Sequence, residues 1–137
     1  MRKLLALAAG VALLSFQSFA KDEGNFADND TRKSGKLYGI ESVKLNDDNT
    51  ITVVEENQPS NKNSFELNTS TGRKVSKLIV KEGEEFNVEG SWWKFYYRLD
   101  KIDNGKLQFS VEQKRSKRGE RVHGKLSTTY KKTITPY

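Results

Sequence analysis

The stretch from Trp92 to Ile102, WWKFYYRLDKI, alternates apolar and polar side chains along its length. A pleated strand points successive side chains to opposite faces, so it gathers Trp93, Phe95, Tyr97 and Leu99 on one side. A helix would scatter the same four residues around its circumference. From Leu37 onward, Val, Ile, Thr, Tyr, Phe and Trp recur in similar short runs, and the only alanine beyond residue 20 is Ala27. No window shows a helical repeat, so the composition is that of strands.

The spacing predicts strands over residues 37–45, 50–56, 64–69, 73–80, 85–88, 92–102, 106–113 and 121–134, separated by Asn, Asp, Gly, Pro and Ser clusters. The last is long enough to bend or break near Gly124 or Ser127. Short connections favour antiparallel neighbours. The expected fold is all-β, with seven or eight antiparallel strands in a two-sheet sandwich or a small, partly open barrel.

That domain is expected over residues 37–137. Residues 1–20 read as a secretory signal peptide: Arg2 and Lys3, an apolar run from Leu4 to Phe16, then small residues ending at Ala20. The run is shorter than the ~20 residues a bilayer span requires, so no transmembrane segment is expected in the mature chain. Residues 21–36 are polar and aperiodic and read as a flexible leader. The chain is therefore expected to be periplasmic or secreted.

Without the signal, 33 of 117 residues are apolar and the net charge is +4. There is no cysteine, so no disulfide supports the thin core, and burial of the twelve remaining aromatics must carry it.

One hairpin can be worked out in detail. A two-residue Asn104-Gly105 turn would set Leu99 opposite Ser110 and Tyr97 opposite Glu112, apolar against polar. A three-residue Asp103-Asn104-Gly105 loop sets Leu99 opposite Phe109 and Tyr97 opposite Val111. Because a one-residue slip exchanges the two faces, the buried face selects the second register. Gly105 would supply the left-handed residue that such a loop requires.

The opposite face of the same strand reads Trp92, Lys94, Tyr96 and Arg98, aromatic and cationic in alternation. Flat rings can stack on a ligand while neighbouring cations hold its acidic groups. The competing reading is a strand covered on both faces, with basic stems lying over the rings for stability. A second feature is a basic hairpin tip: Lys114, Arg115, Lys117, Arg118 and Arg121, opposed locally only by Glu120. Such a cluster concentrates positive potential, although charged tips also discourage edge-to-edge sheet association.

His123, the only histidine, has no second imidazole or thiol with which to share a metal, and a surface position between Arg121 and Lys125 on one strand face is expected. Asp28-Asn29-Asp30 and the 46–49 turn lack the spacing of a helix-loop-helix calcium site. No phosphate-binding glycine loop, G-x-S-x-G elbow or H-E-x-x-H segment occurs. The pattern points to a non-enzymatic binding or accessory module with no cofactor and no metal. A protein partner is the first expectation. An anionic polymer (lipopolysaccharide, acidic glycan or nucleic acid) is the alternative.

Overall fold

The computed structural model describes residues 34–56 and 65–137. Residues 1–20, expected as a signal peptide, and residues 21–33 of the expected leader lie outside the described residues. The elements are β1 (Ile40–Leu45), β2 (Ile51–Glu55), β3 (Glu66–Thr69), β4 (Lys74–Val75), β5 (Lys77–Val80), β6 (Glu85–Glu89), β7 (Trp93–Asp103), β8 (Lys106–Arg115), α1 (Lys117–His123) and β9 (Ser127–Ile134).

They form two antiparallel sheets, one of three strands in the order β1-β2-β5 and one of six in the order β4-β3-β6-β7-β8-β9. Val43, Ile51, Val53 and Val80 of the smaller sheet join Phe86, Phe95, Tyr97, Leu99 and Phe109 of the larger in a single buried cluster. The all-β sandwich expected from the alternation is the fold observed, and the sheets do not close into a barrel.

Three local expectations are corrected. The run 73–80 is not one strand. It breaks at Ser76, so that β4 pairs with β3 while β5 pairs with β2 in the other sheet. The Ser76 carbonyl accepts the Glu55 N–H at 3.0 Å at this corner. A chain passing between two packed sheets has to bend where it changes sheet.

The β7–β8 hairpin keeps the expected register, with Leu99 opposite Phe109 and Tyr97 opposite Val111, but not the expected loop. Asp103 pairs with Lys106, leaving a two-residue turn at Asn104 (φ 53°) and Gly105 (φ 75°). Positive φ at both positions suits the right-handed twist of a tight hairpin. Turn and buried face therefore require registers one residue apart, and a β-bulge at Asp100 absorbs the difference.

The basic segment after β8 is a helix rather than a hairpin tip. Ser116 caps α1, its Oγ accepting the Gly119 N–H at 3.1 Å and donating to the Ser91 carbonyl at 2.8 Å. Gly124, at φ 86°, ends it. Gly119 lies so close to β7 that a Cβ there would sit 2.5 Å from the Trp92 carbonyl oxygen. The last strand accordingly starts at Ser127, not at residue 121, and His123 ends the helix instead of lying on a strand face.

Tyr137 ties the two sheets together. Tyr137 and Val43 exchange backbone hydrogen bonds of 2.8 Å. The Tyr137 hydroxyl accepts the Leu37 N–H at 2.9 Å and donates to the Ile40 carbonyl at 3.0 Å.

Candidate functional site

Burial alternates along β7, hiding Trp93, Phe95, Tyr97 and Leu99 and leaving Lys94, Tyr96 and Arg98 on the outward face. Trp92 is 39% exposed and Tyr96 36%. The outer face of the six-stranded sheet is therefore open over β7, and register decides what stands beside it.

Lys94 pairs with Lys114 on one side and Glu89 on the other. Its ammonium lies 3.9 Å from the Glu89 carboxylate and 5.2 Å from the centre of the Tyr96 ring, and the Lys114 ammonium lies 5.8 Å from that centre. The Arg118 guanidinium, carried by α1, lies 4.7 Å from the Trp92 ring. The ring of His123, the last residue of α1, also lies 5.6 Å from the Trp92 ring. Two outward rings thus carry cations within cation–π range. Among the described residues, Lys114, Lys117, Arg118 and Arg121 have no carboxylate within 4.0 Å.

The other sequence-derived candidates do not join this cluster. Arg115 faces inward: its guanidinium lies 5.7 Å from the Trp93 ring and donates to the His123 and Gly124 carbonyls, closing the end of α1. Arg98 is held by Asp100, Nε to Oδ1 at 2.7 Å, and by Ser110 at 3.2 Å. Lys117 and Arg121 stand exposed on the helix.

The face also contains residues that alternation within one strand does not reveal. Asn87 of β6, Glu112 of β8 and Thr129 of β9 lie in one row with Tyr96, while Glu85, Ser110 and Lys131 lie in the next row with Arg98. Together they line a groove of about 650 Å³. The signal that finds them is cross-strand register, which requires the order of strands in the sheet.

One network in the groove resembles a nucleophile with its base. The Ser110 hydroxyl donates to Asp100, and accepts from Arg98 and from the Lys131 ammonium at 2.9 Å. Its proton and both lone pairs are thereby engaged. Its geometry is that of a tie across β7, β8 and β9, anchored on the bulge residue. Among the described residues, no group of three His, Cys, Asp or Glu side chains converges to hold a metal, and no helix is long and apolar enough to cross a membrane.

Comparison with protein-family models, with curated proteins and with solved structures finds no match to this chain.

Proposed function

We propose that the protein is a non-enzymatic binding module, exported to the periplasm or the cell exterior, that holds a polyanion at the Trp92–Tyr96 end of its six-stranded sheet. The observation that carries this reading is the pairing of two exposed rings with Lys114 and Arg118, cations that have no carboxylate within 4.0 Å among the described residues. Cations left unpaired on a folded surface concentrate counter-ions, and a polyanion that displaces them gains from their release. Stacking on Trp92 and Tyr96 adds a contribution indifferent to the order of units in the polymer.

The test is a variant reversing Lys114, Lys117, Arg118 and Arg121 to glutamate, with Arg115 retained because it closes the helix. Binding of polyphosphate and of alginate by this variant is expected to vanish while its melting curve matches the parent's. Unchanged binding of both polymers would end the polyanion reading.

A protein partner is the second reading, favoured by the exposure of Trp92 beside Arg118, since Trp, Tyr and Arg dominate interface hot spots. It predicts a complex lost on Trp92→Ala and insensitive to reversal of Lys114, Lys117 and Arg121 with Arg118 retained.

A further inference from the structure

We infer that the polymer is an acidic polysaccharide, its acidic groups on Lys94 and Lys114 and its sugar units continuing past Tyr96 into the groove toward Lys131. This inference rests on the polyanion reading above and names the ligand class. Tyr96 joins the two regions, because it carries both lysine ammonium groups near its ring and also lines the groove.

Past that ring the chemistry changes. The groove is lined by the acids Glu85 and Glu112, by Ser70, and by the cations Arg98 and Lys131. A chain made only of phosphates would bring negative charge against Glu85 and Glu112. A uronate chain such as alginate is charged on every unit too, but its ring hydroxyls can donate protons to these two acids, which phosphates cannot, since ionised carboxylates are acceptors only.

Glu112 is placed for this role. It stands directly opposite Tyr96, two residues from Lys114 on the same strand face. One of its oxygens accepts from the Ser127 hydroxyl at 3.3 Å, which orients the carboxylate and leaves the other oxygen for a ligand. Lys131, with its side chain 78% exposed, remains reachable at the far end. A volume of about 650 Å³ falls within the range of small-ligand sites, so the groove takes a few sugar units, not the whole polymer.

The experiment titrates the isotope-labelled full chain separately with alginate hexasaccharide, inorganic polyphosphate and phosphatidylglycerol vesicles, following backbone amide shifts. Alginate is expected to move the amides of Asn87, Glu112 and Thr129 as well as those of Lys94 and Lys114. Polyphosphate is expected to move only the cationic end and α1. The Glu112→Gln variant keeps an acceptor for Ser127 and loses the charge. Its affinity for alginate is expected to fall about tenfold, the scale of one charge-assisted hydrogen bond, while its affinity for polyphosphate stays level or rises.

Alginate shifts confined to the cationic end, parental alginate affinity in Glu112→Gln, or preference for the vesicles would each overturn the inference while leaving the polyanion reading standing. Failure of all three ligands to bind would overturn the polyanion reading itself.

Discussion

Lys132 lies on the inward face of β9, paired with Phe109 and only 4% exposed. Burial strips water from its ammonium and lowers its pKa from 10.5 to about 8. That fall corresponds to about 3 kcal/mol by which the folded state disfavours the charged form at neutral pH. The unfolded chain holds the proton up to 10.5, whereas the folded chain releases it near 8. The unfolded state thus binds more protons across that window, and stability rises with pH through it. Between about pH 7 and about pH 9.5 the gain is about 2 kcal/mol. Higher pH brings an opposing contribution: burial raises the Tyr97 hydroxyl well above 10 and Tyr137 to about 12, so their share of stability is lost as pH rises above 10. Urea unfolding of the parent and of Lys132→Met across the lower window isolates the lysine. The slope of stability against pH is the diagnostic, because methionine also alters the packing contacts. The parent is expected to gain about 2 kcal/mol that the variant lacks. Equal slopes would refute the reasoning.

Three further outcomes follow from the packing. Gly119→Ala would press a Cβ against the Trp92 carbonyl, and a loss of about 1–3 kcal/mol is expected in urea unfolding, with a change in tryptophan fluorescence as α1 shifts off β7. Arg115→Ala is expected to lower the melting temperature, because it removes the bonds that close α1. Arg118→Ala, which removes an exposed cation from Trp92, is expected to leave the melting temperature nearly unchanged. Tyr137→Phe deletes a hydroxyl that bonds at both Leu37 and Ile40, and a loss of about 1–3 kcal/mol by thermal or urea unfolding is expected.

The sequence carried the faces of the sheet but not all of its joints. Alternation along 92–102 places Phe95 and Tyr97 inward and Lys94 and Tyr96 outward, and matching apolar faces yields the Leu99–Phe109 pair. It does not locate the bulge, because the turn and the buried face disagree by one residue and any position between them could absorb it. The corner at Ser76 is hidden for a similar reason: a strand leaving one sheet for another keeps its strand composition. Helix α1 is short and contains Gly119, Val122 and His123, all modest or poor helix formers. Its signals were its ends, Ser116 and Gly124, and the strand pattern of the following residues overrode them. The Arg118–Trp92 contact went unseen with the helix. Lys94 and Lys114 follow from the hairpin register alone, whereas Asn87 and Thr129 reach the site only through the order of β6 and β9, a long-range property.

The central claim, that the cations clustered at the Trp92–Tyr96 end hold an anionic polymer, is tested most directly by the salt dependence of binding. With Lys94, Lys114, Arg118 and one or two further α1 cations engaged, the logarithm of affinity for polyphosphate is expected to fall with the logarithm of salt at a slope of about −3 to −4. Between about 50 and about 200 mM salt this is roughly a hundredfold loss. A slope near zero, with binding intact, would contradict the account.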